Sequence, residues 1–305
     1  MDMMDWKDAL STVVTDPTRL RFEEPLSKHT HFGIGGEAEV YIEVSTIDEL
    51  TALAHFHRKW DVPVAVIGRG SNLLVSDKGF NGICVKLIGE LAELEVDGNV
   101  VNVGAGHPLP SLSKLMSKSG LSGVEFALGI PGAVGGALIM NAGAWGSCFG
   151  DVVTDVTVMS DTGELVKLTQ NEANFEYRNS GLDAYFCVVG TTLILQRGDV
   201  DTITAQMNGL FKQKTTTQPF VEENAGCMFK NPPGDSAGRL IDICGLKGHR
   251  IGGAEVSTVH GNFILNLDNA TASDVLDLVE YIQNDVKEKT GISLQTEVKR
   301  LGFDW

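Results

Sequence analysis

Gly68-Arg-Gly-Ser-Asn-Leu-Leu-Val75 follows directly on Val62–Ile67, an apolar run that reads as a β-strand. Glycine loops at strand ends cradle phosphates in several folds, because bare backbone N–H groups can close around an anion. Two familiar forms fail here. A P-loop ends in Gly-Lys-Ser/Thr, and that ending is absent. A Rossmann fingerprint needs a third glycine at position 73 and then a helix. Position 73 is Leu, and Leu73-Leu-Val75 leads into the turn Asp77-Lys-Gly79. What remains is a loop of another fold, whose amides and Ser71 and Asn72 side chains bind a pyrophosphate.

Further along lies Gly129-Ile-Pro-Gly-Ala-Val-Gly-Gly-Ala-Leu-Ile-Met-Asn-Ala-Gly-Ala-Trp-Gly146, an uncharged island with glycines at 129, 132, 135, 136, 143 and 146. Glycine costs backbone entropy wherever it is held in place, so this density marks backbone that tolerates no side chain. A tightly packed turn explains an isolated island. Two separate glycine loops favour a flat or phosphorylated ligand lying against the backbone.

The elements around these loops alternate irregularly. Ala38–Val44 reads as a strand, and Thr46-Ile-Asp-Glu49 as a capping box opening a helix through Ala52, Leu53 and Phe56. With Val62–Ile67 and Ile83–Leu87 they make a β-α-β-β unit. Leu91–Val96 and Val100–Val103 flank the hairpin signal Asp97-Gly98, and Val152–Met159 and Leu165–Leu168 flank Asp161-Thr-Gly163. Pro110–Ser119 is a helix closed by Gly120, and Phe186–Leu195 is a long strand. Asp201–Lys214 has a helical period. Beyond it come a strand at Phe263–Leu267 and a helix at Thr271–Lys289, with Val275, Leu278, Val279, Ile282 and Val286 on one face and Gly291 past its end. The hairpin-rich pattern predicts an α+β fold rather than a doubly wound sheet.

At 305 residues the chain is long for one core, so two or three lobes are expected. The net charge of −16 argues against nucleic acid and anionic membrane surfaces as partners, since both are bound by surplus Lys and Arg. No apolar run approaches the ~18 residues that a membrane span needs, and Met1-Asp-Met-Met-Asp-Trp6 lacks the basic start of a secretory signal. Five scattered cysteines, at 84, 148, 187, 227 and 244, fit reduced thiols in a cytoplasmic protein. His29-x-His31 and His55-x-His57 have no further ligands beside them, so no metal site is expected. The oligomeric state stays open, with a monomer as the default.

Together the two glycine loops and Met140-Asn-Ala-Gly143 resemble the UDP-N-acetylenolpyruvoylglucosamine reductases, flavoenzymes that make a peptidoglycan precursor. The resemblance continues through Tyr177-Arg-Asn-Ser180, Ala225-Gly-Cys-Met-Phe-Lys-Asn-Pro232, Ser236-Ala-Gly-Arg-Leu-Ile241, Gly245–Gly253, His260-Gly-Asn-Phe-Ile264 and Glu297-Val298. It covers roughly residues 24 to 302, in order. It implies a two-part FAD-binding region of the vanillyl-alcohol-oxidase-like type, followed by a substrate-binding domain. The expected division is an N-terminal arm or helix over 1–22, an FAD-binding domain over 23–198 (subdomains about 23–88 and 89–198) and a substrate-binding domain over 199–305.

The implied reaction is reduction of UDP-N-acetylglucosamine enolpyruvate by NADPH through FAD. The implied FAD contacts are Gly68, Arg69, Gly70, Ser71, Asn72 and Leu73 in the first loop. The island contributes Gly129, Ile130, Pro131, Gly132, Gly135, Gly136, Asn141, Ala142 and Gly143. Such a reaction needs a cation on the substrate carboxylate, a stabiliser for the enolate and a proton donor; preorganised charge of this kind is usually the largest catalytic term. The resemblance gives these roles to Arg178, Glu297 and Cys227 in turn. Glu297, if buried beside the flavin, has a raised pKa and donates a hydrogen bond.

Cys227 departs from the family, most of whose members place Ser there. A thiol with reference pKa about 8.5 is a better acid than an alcohol and is mostly protonated at neutral pH. Tyr177, Lys214, Lys230, Asn231 and Arg239 are the expected contacts to the UDP-sugar. Which cation grips the diphosphate is open, because Thr215-Thr-Thr-Gln-Pro219 stands where some members carry Lys. Gly33, where Arg is frequent, and Asn179, where Asp is common, are further departures. The rivals are another FAD enzyme on the same scaffold, such as an oxidase, and a nucleotide-sugar sensor without catalysis.

Overall fold

The structure, a computed structural model, describes residues 6–303, so residues 1–5 of the expected arm lie outside it. The chain folds as two compact units. One holds the chain up to Phe22, Val40–Gly68 and Gly82–Phe211; the other holds Glu23–Glu39, Arg69–Asn81 and the chain from Lys212. The mixed sheets and helices are the expected α+β class.

The first unit is built on a five-stranded antiparallel sheet in the order Leu165–Thr169, Val153–Met159, Cys187–Ile194, Val100–Gly104, Leu94–Asp97. Alternation drives it: Val101 and Val103 are buried while Asn102 between them is exposed. Its two hairpins turn at Gly98 and Gly163, both in the left-handed region with φ of 65° and 81°. The helix Leu109–Lys118 buries Leu109, Leu112 and Met116 and stops at Gly120, whose φ is 67°. Leu91 and Ala92, expected in a strand, lie instead in a single 3-10 turn, Gly89–Ala92. Gly104 and Gly106 approach this turn closely and donate to the carbonyls of Glu93 and Leu91, so the strand begins only at Leu94.

A second sheet has the order Leu20–Pro25, Glu37–Val44, Phe80–Leu87, Val64–Val66, with the last pair parallel. The helix Ile47–Trp60 supplies Leu50, Leu53 and Phe56 to a core that also takes Val40, Ile42, Val44, Ile83 and Val85 from the strands. Thr46 caps this helix as expected, its hydroxyl accepting from the Glu49 amide at 3.1 Å. The Glu49 carboxylate does not close the box on Thr46. It turns instead to Ser45, Thr15 and Arg19, because a buried carboxylate gains more from a guanidinium than from one further amide.

The second unit centres on a three-stranded antiparallel sheet, Arg250–Ile251, Ala254–Val256 and Ile264–Asn266, with the helices Ala237–Ile243 and Ala272–Thr290. The long helix follows its sequence signals closely. Thr271 and Asp274 form a reciprocal capping box, Val275, Leu278, Val279, Ile282 and Val286 are buried, and Gly291 closes the helix at φ 75°. Asp77 adds a cap from far away in sequence, accepting from the amides of Ala272 and Ser273 at 2.7 and 3.1 Å. Leu73–Val75 pairs in parallel with Lys299–Leu301, which fastens the strand after the first glycine loop to the C-terminal segment.

Candidate active site

The glycine island is not a plain loop. Val134–Ile139 within it forms a short helix, which its glycine content disguises. The helix is held by docking: the amides of Val134 and Gly135 donate to the carbonyls of His107 and Ala105 at 2.9 and 2.8 Å. The glycines then divide by cause. A Cβ on Gly135 would sit 3.0 Å from that of Ala105, and one on Gly143 would collide with the Ser147 carbonyl, so protein packing demands both. A Cβ on Gly136 would meet nothing within 4 Å. Gly136 is exposed, so no protein neighbour requires that glycine and its backbone faces open space. Gly68 belongs to the same surroundings, since its Cβ would lie 3.2 Å from that of Ala133.

Asn141 is buried with φ at 40°, and both ends of its side-chain amide are committed to protein. It accepts from the Gly150 amide and donates to the Glu176 carbonyl, each at 2.9 Å. Glu176 and Asn179 exchange backbone hydrogen bonds, making a tight turn with Tyr177 and Arg178 at its tip. Ser180 donates to the Ile139 carbonyl at 2.9 Å and ties the other side of the turn to the island helix. Arg178 is half-buried and left-handed, with φ at 55°, a conformation that a non-glycine side chain adopts only when its surroundings impose it. One guanidinium nitrogen donates to the Gly143 carbonyl at 2.9 Å, and the group lies 5.1 Å from the centre of the exposed Tyr177 ring. The island therefore supports Arg178 and its turn.

In the second unit the remaining elements converge. The Lys230 amide donates to the Gln295 carbonyl and the Glu297 amide to the Met228 carbonyl, both at 2.8 Å, with a bridge between Phe229 and Thr296. This antiparallel register puts Cys227 within one residue of the position facing Glu297. Asn72 of the first loop donates its side-chain amide to the Glu297 carbonyl at 3.3 Å, and its own carbonyl accepts from the Lys299 amide. On the other strand, a Cβ on Gly226 would come 3.8 Å from the Ser71 carbonyl. The Ser71-Asn72 loop, Cys227 and Glu297 thus share one neighbourhood, and both catalytic candidates are half-buried.

The expected substrate contacts are placed less uniformly. Lys230 is half-buried, three residues along from Cys227, and Lys214 lies on the helix Val200–Thr217. Asn231 accepts from the Ala237 amide at 3.0 Å and so helps to start the helix Ala237–Ile243. Arg239 forks onto Asp235, and that pairing holds the Asp235 carboxyl below its ordinary range. Gly33 has φ at 67°, with the Glu223 carboxylate filling the space where a side chain would project. Asn224 and Asn262, both buried and bonded to the segment around Cys227, are supports that sequence reasoning missed. Asn262 lies inside the motif His260–Ile264, but nothing local marks its partner.

The histidine pairs diverge to separate partners: His29 to Glu24, His31 to the Asn224 carbonyl, His55 to the Thr162 carbonyl and His57 to the Val62 carbonyl. Among the described residues, no group of three His, Cys, Asp or Glu is placed to hold a metal, and no helix is long and apolar enough to cross a membrane. All five cysteines are reduced thiols; burial pushes Cys84 and Cys187 up to about 12, while Cys227 is half-buried.

Residues 38–169 match the FAD binding domain family, and residues 218–301 match the C-terminal domain of UDP-N-acetylenolpyruvoylglucosamine reductase. A reductase of that name from Symbiobacterium thermophilum is 42% identical over 99% of this chain and 98% of its own length. Another from Bacillus subtilis is 42% identical over 92% of this chain and 93% of its own. The chain belongs to the UDP-N-acetylenolpyruvoylglucosamine reductase family. The crystal structure of the Thermus caldophilus reductase has the same fold, with a TM-score of 0.81 and 39% identity over 92% of this chain and 99% of that one. As a family member the chain is an oxidoreductase with an FAD-binding domain.

Proposed function

We propose that the chain reduces UDP-N-acetylglucosamine enolpyruvate to UDP-N-acetylmuramate with NADPH, a step of peptidoglycan precursor synthesis in the cytoplasm. The observation that carries the reading is the pairing of the segment that follows Cys227 with the segment carrying Glu297, Met228 facing Glu297, next to the Ser71-Asn72 loop. The resemblance assigns FAD contacts to the Gly68–Leu73 loop and to the glycine island, and the open backbone at Gly136 leaves room for such a contact on the island. FAD bound there would supply the hydride chemistry, passing reducing equivalents from NADPH to the methylene carbon of the substrate.

The carbon bearing the ether oxygen then carries negative charge delocalised into the carboxylate. Arg178 meets that carboxylate with a guanidinium fork matched to two oxygens. Glu297, in its protonated form, hydrogen-bonds the enolate oxygen. Cys227 gives its S–H proton to the carbon, which completes a CH3–CH unit, and the thiolate regains a proton from solvent. Lys214 and Lys230 supply local positive charge for the UDP diphosphate. Asn141 acts as a brace for the Arg178 turn, since its amide is already satisfied by protein.

Anaerobic half-reactions test the assignment. NADPH should bleach the yellow protein, and the enolpyruvyl substrate should recolour it without oxygen. Recolouring by oxygen alone would make it an oxidase. A colourless protein that binds UDP-sugar would make it a sensor.

A further inference from the structure

Two buried asparagine side chains hold the segment that carries Cys227. On its N-terminal side, Asn224 accepts from the Gly226 amide at 2.8 Å while donating to the carbonyls of Pro219 and Glu222 at 3.1 and 2.7 Å. On its C-terminal side, the Asn262 side chain accepts from the Phe229 amide at 2.9 Å and donates to the Phe229 carbonyl at 2.8 Å. The Asn262 backbone joins in: its carbonyl accepts from the Met228 amide at 2.8 Å, and its N–H donates to His260 Nδ1 at 3.2 Å. The relative exposures of Asn224 and Asn262 are 5% and 3%. A planar amide that pairs with both backbone groups of one residue fixes that residue's position and rotation together. The next strand, carrying Glu297, holds the same segment from the Met228 carbonyl.

We propose that Asn262, with Asn224 as second anchor, is a positioning residue that aims the Cys227 thiol at the carbon it protonates. This rests on the proton-donor reading of Cys227. The device suits a thiol because proton transfer depends on heavy-atom approach within hydrogen-bond reach, and a backbone shift at Phe229 moves Cys227 directly. Neither asparagine touches the reacting atoms. Their effect is confined to the step in which the proton moves.

The test uses flavin-loaded Asn262→Asp, which keeps an acceptor for the Phe229 amide but loses the donor to its carbonyl. NADPH should reduce its flavin at the parental rate. Reoxidation by the enolpyruvyl substrate should slow by up to about 100-fold, the scale of an ångström-sized misplacement. Alkylation of Cys227 by iodoacetamide, followed by mass spectrometry, should change in rate. In a Cys227→Ala background, Asn262→Asp should add nothing to the reoxidation defect, whereas a purely structural role would add to it. Asn224→Asp carries the same expectations and stands in if Asn262→Asp does not purify with flavin. Parental reoxidation in either asparagine variant, with Cys227→Ala stalled, overturns the positioning role alone. Parental reoxidation in Cys227→Ala overturns the reading beneath it.

Discussion

Replacing Glu49 with Gln should cost the protein about 3 kcal/mol, the linkage value of a carboxylate held well below its ordinary pKa. The residue is 5% exposed, and its carboxylate accepts from Arg19 Nη1 and Nη2 at 2.8 and 2.6 Å. It also accepts from the Ser45 amide and hydroxyl at 2.8 and 3.1 Å, and from the Thr15 amide and hydroxyl at 3.2 and 3.1 Å. Burial alone would raise its pKa. The Arg19 guanidinium and the surrounding donors overcome that and hold the group at about 2, against an ordinary value of 4.5. At 1.36 kcal/mol per pH unit, the difference is worth about 3 kcal/mol at neutral pH. Because the folded value lies below the unfolded one, this stability is present above pH 4.5 and is lost as pH falls from there towards 2.

The Gln substitution takes the Glu49 charge away from Arg19, 13% exposed, and that loss is part of the same ~3 kcal/mol. Thermal melts of flavin-free protein at pH 7 should show the midpoint of the unit containing this pair lowered by roughly 6–12 °C. At pH 3 the gap between parent and variant should narrow. A variant within ~0.5 kcal/mol of the parent at pH 7 would reduce the pair to an ordinary surface contact and refute the reasoning. The pair also gives the arm a role: Thr15 and Arg19 fasten it to the helix Ile47–Trp60.

Gly136→Ala should raise the stability of the flavin-free protein by about 0.5–1 kcal/mol, because it replaces a helical glycine, yet lower flavin occupancy measured by absorbance. Gly79→Ala is its counterpart: a Cβ there would collide with the Glu37 carbonyl at a φ of 79°, so loss of stability should appear in melts with or without flavin. Arg178→Lys should leave NADPH reduction intact and slow reoxidation by substrate, since an ammonium cannot keep both the Gly143 carbonyl and a two-oxygen carboxylate contact. Stopped-flow traces of the two half-reactions separate these outcomes.

Local signals carried the elements whose causes are local. Thr271, the apolar face through Val286 and Gly291 announce a helix because cap, stripe and stop all lie within its own turns. The island is legible as a glycine-rich site but not as a helix, since Val134–Ile139 is stabilised by the carbonyls of Ala105 and His107 rather than by its own propensity. Nor can sequence separate Gly135, demanded by Ala105, from Gly136, which faces open space. The meeting of Asn72 with Glu297, and of Asn262 with Phe229, depends on pairings between distant segments that no spacing rule reveals. The roles of Arg178, Cys227 and Glu297 came from resemblance, while their supports came from the structure.

The most direct measurement is the rate at which substrate reoxidises NADPH-reduced flavin in Cys227→Ala. Flavin reduction should run at the parental rate and reoxidation should slow by at least about 100-fold, the lower range for a lost general acid, with Cys227→Ser retaining substantial turnover. Reoxidation of the Ala variant at the parental rate would contradict the assignment of Cys227 as the proton donor.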